Sequence, residues 1–157
     1  MREIIFRGKR SNGEWVYGSL LRAVGFCCIY RVTGTFELEQ SYIIPDSVGQ
    51  YTGLRDSKRT AEHPEGQMIF EGDVVDDGRG NKLVVCYGKH TIYCCGCCYD
   101  SHQSCGFYLI LPEYVNKEDG CEYVYADGEC WEDLIVIGNI HDHPELLKGG
   151  EGDTKVY

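Results

Sequence analysis

Glycine-bearing turns recur along this chain, and the segments between them are short, apolar and alternating rather than long and helical. Ser11-Asn12-Gly13, Thr33-Gly34-Thr35 and Asp76-Asp77-Gly78-Arg79-Gly80-Asn81 each separate two β-forming runs. Asn-Gly tolerates the positive φ of a hairpin turn, so the first is a direct turn signal. Phe36 to Tyr42 alternates apolar and polar residues, the period-2 pattern of a half-buried strand. Pro45 ends it, because proline cannot donate to a ladder. Further strands are expected over Glu3 to Arg7, Glu14 to Val24, Phe26 to Val32, Met68 to Val75, Lys82 to Tyr87, Phe107 to Leu111, Glu122 to Tyr125 and Leu134 to Ile140. The pattern predicts an all-β (mainly β) fold, either a small barrel or a strongly bent antiparallel sheet. Asp142-His143-Pro144-Glu145-Leu146-Leu147 adds a short C-terminal helical turn, with Pro144 at a first-turn position. Residues 55–67 read as a polar, exposed and mobile loop.

The length of 157 residues fits one domain, taken as 1–147, with a flexible tail over 148–157. Hydrophobic content is 43 % and aromatic content 12 %, enough for a folded core. No apolar run reaches the ~20 residues of a membrane helix. Met1-Arg2-Glu3-Ile4-Ile5-Phe6-Arg7 lacks the apolar core of a signal peptide, so a bacterial cytoplasm is the expected compartment, with no membrane contact.

The net charge of −10 is uneven. Residues 1–31 carry six basic side chains and two acidic ones. Residues 113–145 carry ten acids against Lys117 alone. Such a surface repels phosphate backbones and disfavours direct nucleic-acid binding.

Ten cysteines accompany the absence of an export signal. Reducing thiol buffers keep cytosolic cysteines free, which leaves buried small hydrophobes or metal ligands. Cys94-Cys95-Gly96-Cys97-Cys98 contains two overlapping Cys-x-x-Cys pairs, with His90, His102 and Cys105 near in sequence. A tetrahedral zinc site takes four ligands, usually from two knuckles, and the second knuckle is not clearly spaced here; Cys97 or Cys98 with His102 and Cys105 could complete it, and so could the distant Cys121 and Cys130. The alternative is packing: a strand through Cys94-Cys95 buries one thiol and turns its neighbour to the other face, and Cys27-Cys28 has the same form. No cofactor is expected.

No Gly-rich phosphate loop, Gly-x-Ser-x-Gly elbow or His-Glu-x-x-His occurs, and no catalytic residue is assigned. His141 and His143 would share one side of a strand, but no third ligand accompanies them.

Four stretches carry a resemblance. They are Arg2-Glu3-Ile4-Ile5-Phe6-Arg7; Gly49-Gln50-Tyr51-Thr52-Gly53-Leu54-Arg55-Asp56; Ile69-Phe70-Glu71-Gly72-Asp73-Val74-Val75; and Val136-Ile137-Gly138-Asn139-Ile140-His141-Asp142-His143-Pro144-Glu145-Leu146-Leu147. In this order they resemble the YopX family of phage and prophage proteins. The link between Leu54-Arg55-Asp56 and Phe70-Glu71-Gly72-Asp73, which contains Thr60 to Gly66, is longer than is usual in that family. The resemblance implies a β-rich domain encoded by a phage, prophage or other mobile element, with no established activity, cofactor or binding residue to carry across.

The motif residues Gly49, Gln50, Tyr51, Thr52, Gly53, Leu54, Asp56, Glu71, Gly72, Asp73, Gly138, Asn139 and Pro144 are expected to serve structure first. Gly72 suits a bulge or tight turn entering a strand, Asp73 bonds to nearby backbone N–H groups, and Gly138 allows close backbone approach. The functional alternative is a surface groove lined by Gln50, Tyr51 and Thr52. For the whole chain the leading expectation is a non-enzymatic binding or assembly protein that forms a homo-oligomer or contacts a host protein. A zinc-stabilised domain, an acidic imitation of DNA and an enzyme built from distant strands are the alternatives.

Overall fold

A computed structural model describes residues 3–34, 36–93, 101–115, 124–125 and 131–148. The structure is mainly β, with two antiparallel sheets, and its only helical pieces among the described residues are short 3-10 turns. Neither sheet closes on itself among those residues: each strand order has two ends, so the sheets are open and the barrel alternative is set aside. No helix among the described residues is long and apolar enough to cross a membrane. The chain divides into two compact units. The first contains Met1–Arg55 and Arg59–Glu71, and the second contains Asp56–Lys58 and Gly72–Tyr157.

The first unit holds β1 (Phe6–Lys9), β2 (Trp15–Ala23), β3 (Phe26–Thr33), β4 (Glu37–Tyr42), β5 (Gly49–Arg55) and β6 (Met68–Phe70), in the order β4-β3-β2-β1-β5-β6. The Asn12-Gly13 turn joins β1 to β2, with Gly13 at φ 89° and the Arg10 N–H donating to the Glu14 carbonyl at 2.8 Å. Val16, Cys27, Ile29 and Ile43 form its core, with Phe6, Leu20 and Val48 packed against them. Both thiols of the Cys27-Cys28 pair are buried, on opposite faces of β3, and burial pushes the Cys27 thiol pKa up.

The period-2 pattern of β4 holds, but its sidedness is the reverse of the ordinary one. Leu38 and Tyr42 are 68 % and 67 % exposed, whereas Ser41 is buried. The reason lies on the inward side. The Arg10 guanidinium donates to Glu14 at 2.8 Å, to Glu39 at 3.0 Å and to the Ser41 hydroxyl, while Arg31 donates to Glu39 at 2.6 Å. Arg31 first, and then Arg10, holds the Glu39 carboxyl below the usual range.

The second unit holds β7 (Asp73–Asp76), β8 (Lys82–Tyr93), β9 (Ser101–Ile110), β10 (Val124–Tyr125) and β11 (Ile135–Asn139), in the order β10-β9-β8-β7-β11. One face buries Val74, Val84 and Ile110, against which Tyr108, Tyr114, Ile140, Leu146 and Leu147 pack. The alternate residues Val75, Leu83, Val85 and Leu109 are buried as well, so this sheet is apolar on both faces. The β7–β8 turn is tied by its own acids. Asp76 accepts from the Gly78 N–H at 2.7 Å, and Asp77 accepts from the N–H groups of Arg79 and Asn81 and from the Asn81 amide. Pro144–Leu147 is the expected helical turn, a 3-10 one with Pro144 in its first positions.

Candidate functional site

The motif residues fall into two groups: Gly49 to Leu54 and Glu71 in the first unit, and Asp56, Gly72, Asp73, Gly138, Asn139 and Pro144 in the second.

In the first unit, β5 lies beside β1 with Gln50 opposite Phe6 and Gly49 opposite Arg7. The Arg7 guanidinium donates to the Glu71 carbonyl at 3.1 Å. Its Cζ lies 4.8 Å from the Trp15 ring centroid and 5.0 Å from that of Phe70, so the charge sits over two aromatic rings. Gly49 makes this junction possible: a Cβ there would stand 2.4 Å from the Glu71 carbonyl oxygen, and no side chain fits. The Glu71 N–H donates back to the Gln50 carbonyl at 2.9 Å. Burial raises the Glu71 carboxyl pKa, against the smaller effects of the Gln50 N–H and the Arg7 charge.

Tyr51 and Thr52 are buried and do not line a surface groove. The Tyr51 ring packs on Phe70 with centroids 5.5 Å apart. The Thr52 hydroxyl donates to the Ile69 carbonyl at 2.9 Å and accepts from the Leu54 N–H at 3.1 Å. Gly53, at φ 90°, lies within the register shift between Tyr51 and Arg55, where β5 departs from β6. Of the three residues proposed for a groove, only Gln50 is partly exposed.

In the second unit, Gly72 enters β7 at φ 80°, donates to the Val85 carbonyl at 2.8 Å and accepts from the Ile140 N–H at 2.9 Å. Asp73 is buried and stands opposite Asn139 in the β7–β11 ladder. Asp56 is buried, and its carboxylate accepts from the Val136 N–H at 3.2 Å. The Ser57 N–H donates to the Leu134 carbonyl at 2.8 Å. Asp56 and Ser57 therefore cover the side of β11 that β7 does not reach.

Asn139 organises the turn that follows β11. Its side-chain oxygen accepts from the N–H groups of His141 and Asp142 at 3.0 and 2.9 Å, and its amide donates to the Asp142 carboxylate at 2.9 Å. The His143 N–H donates to the Asn139 carbonyl at 2.9 Å, which seats His143 and Leu146 directly over Gly138. A Cβ at Gly138 would come within 2.8 Å of both side chains. Pro144 then starts the 3-10 turn.

Cys94–Cys98 and Cys121 and Cys130 lie outside the described residues. Among the described residues, no group of three His, Cys, Asp or Glu side chains is placed to hold a metal ion. His90 is buried, bonded to the Gly88 carbonyl at 3.1 Å and packed on the Tyr108 ring at 4.8 Å. Cys105 is exposed.

Two features escape a reading of the sequence. Arg7 stands out only as a basic residue in an apolar strand next to Phe6, and its aromatic partners are distant in sequence. The outward apolar side of β2, β3 and β4 carries no local signal, because alternation does not state which face is covered.

The strand order and the motif junctions define a two-sheet antiparallel β protein whose recurring residues tie strand ends and turns. The chain belongs to the YopX protein family, whose profile matches residues 6–148. No curated protein matches the chain.

Proposed function

We propose that this chain is a non-enzymatic β-rich binding or assembly module of a phage, prophage or other mobile element, working in the cytoplasm of a bacterial host. The observation that carries the reading is the outward face of the first unit's sheet. Leu21, Phe26, Val32, Leu38 and Tyr42 lie on one side of three neighbouring strands, and each is more than 40 % exposed. Exposed apolar side chains on one side of neighbouring strands, set around the buried Cys28, offer an interaction surface. The motif side chains support the same reading, since Arg7, Gly49, Thr52, Asp56, Gly138 and Asn139 are all engaged in backbone bonds or close packing.

A homo-oligomer is the leading form of assembly. Light scattering after gel filtration, at rising protein concentration and at low and high salt, tests it. A mass above that of one chain is expected, and a strict monomer at high concentration would count against assembly.

Charge favours one further kind of contact. The first unit carries eight Lys and Arg against eight Asp and Glu, whereas the second carries seven against seventeen. The whole net charge of −10 therefore belongs to the second unit. A basic host protein would be drawn to that unit, and capture from a host lysate would be lost at high salt. The same charge argues against direct nucleic-acid binding.

A further inference from the structure

We propose that β4 is the self-association edge of this protein: two copies pair antiparallel through Glu37–Tyr42, about a two-fold axis at Gln40. This rests on the assembly reading above and names its surface.

The free edge follows from hydrogen-bond alternation. The Ile43 N–H donates to the Cys27 carbonyl at 3.1 Å, in register with Cys28 opposite Tyr42. In an antiparallel ladder, bonded and non-bonded pairs alternate. The bonded positions of β4 are thus Glu37, Glu39 and Ser41, and the backbone groups of Leu38, Gln40 and Tyr42 point away from β3. β4 ends the strand order of its sheet, so among the described residues no strand meets those groups.

Among the described residues, the edge carries only part of the usual protection against pairing. Proteins block exposed edges with lysine, proline, a bulge or an inward charge. The register of β4 against β3 is unbroken over six residues, and β4 contains neither lysine nor proline. Its inward charge, Glu39, is already bonded to Arg10 and Arg31. The contrast is β11, whose outer Val136 N–H is covered by Asp56.

A second copy fits this edge better than an unlike partner, because the strand complements itself. With the axis at Gln40, Leu38 stands opposite Tyr42 of the other copy, and Gln40 stands opposite Gln40. Glu39 then faces Ser41 rather than another Glu39, which an axis one residue earlier would impose. All three outward N–H groups and all three carbonyls of each strand find partners in this register. Leu38 and Tyr42, the two most exposed side chains of β4 with apolar character, gain apolar neighbours. Charge permits the approach: the first unit is neutral by formal count, so copies meeting there bring no net repulsion from that unit.

Sedimentation equilibrium on the full chain tests the pairing, with three variants. Gln40→Pro removes the outward N–H at the axis without touching a β3–β4 bond. Leu38→Lys sets a charge against Tyr42 of the partner. Gln40→Thr keeps the N–H and a strand-forming side chain. Native fluorescence of the two tryptophans, Trp15 and Trp131, and unchanged circular dichroism certify the fold of each. A wild-type mass of two chains, or a multiple of two, is expected, with Gln40→Thr matching it and both other variants falling to one chain. If the wild type associates and folded Gln40→Pro and Leu38→Lys keep its mass, β4 pairing is overturned while assembly stands. If the wild type is a monomer at high concentration, both fall.

Discussion

The Arg7 guanidinium donates to the carbonyl oxygen of Glu71 at 3.1 Å, across 64 positions of sequence. The same guanidinium lies over the rings of Trp15 and Phe70, so one side chain joins β1, β2 and the end of β6. Lysine replaces it only in part, because an ammonium lacks the planar, delocalised guanidinium. Arg7→Met is expected to lower stability by about 2–4 kcal/mol, through a lost charged donor and two lost ring contacts. Arg7→Lys is expected to recover less than half of that. Urea denaturation measures both, and a loss below ~0.5 kcal/mol would remove Arg7 from this role.

Gly49 and Gly138 are both crowded, but by different atoms. At Gly49 the obstacle is the Glu71 carbonyl oxygen, fixed backbone that also serves Arg7. At Gly138 it is the ends of His143 and Leu146, which can rotate. Gly49→Ala is therefore expected to cost more than Gly138→Ala, about 3 kcal/mol or above against 1–2 kcal/mol. Thermal melts of the two variants give the order directly, and the reverse order would contradict the packing described.

Glu71 and Asp77 should respond to pH with opposite signs. Burial raises the Glu71 pKa, so the folded state holds its proton more tightly than the unfolded chain does. Stability from this group is present below the unfolded value of ~4.3 and is lost as pH rises through the folded one. Glu71→Gln should therefore stabilise at pH 7, with the gain vanishing below about pH 4.

For Asp77, burial pushes the pKa up, but the bonds from Asn81 and the Arg79 N–H outweigh it and leave the pKa lowered. Its contribution is present above the unfolded value of ~3.9 and is lost as pH falls through the folded one. Asp77→Asn should destabilise at pH 7 and match the wild type in acid. Urea midpoints from pH 3 to 8 read both, and equal signs would refute the assignment.

Asp56 supplies the acceptor for the Val136 N–H on the outer side of β11. Asp56→Ala is expected to cost about 1–3 kcal/mol, because a strand amide loses its partner at a buried carboxylate. Hydrogen exchange at Val136 should quicken more than at residues of β8. An unchanged Val136 rate would show that another group protects it.

Local chemistry made the turns legible. Asn12-Gly13, the Asp76–Asn81 run and Pro144 each act on their own neighbours, and each forms the expected turn. Gly72 was legible for the same reason, with its positive φ at the entrance to β7. Sidedness was not legible in β4. The alternation of Phe36, Leu38 and Tyr42 with Glu37, Glu39 and Ser41 is plain in the sequence, but Arg10, 31 residues before Ser41, draws the polar face inward. Tyr51 and Thr52 are expected to serve structure first, with a groove as the alternative, and the partners that decide it, Phe70 and Ile69, are distant in the chain. Gly49 is among the residues expected to serve structure, but what it makes room for is not legible, since the Glu71 carbonyl arrives through a β5–β6 pairing with no local signature.

Amide hydrogen exchange along β4 tests self-pairing most directly. Glu39 and Ser41 bond to β3 in every state, whereas Leu38, Gln40 and Tyr42 meet no strand among the described residues and gain partners from a second chain. Slow exchange at Leu38, Gln40 and Tyr42 in concentrated protein, speeding up on dilution while Glu39 and Ser41 stay slow, is the expected result. Fast exchange at those three amides at every concentration would contradict it.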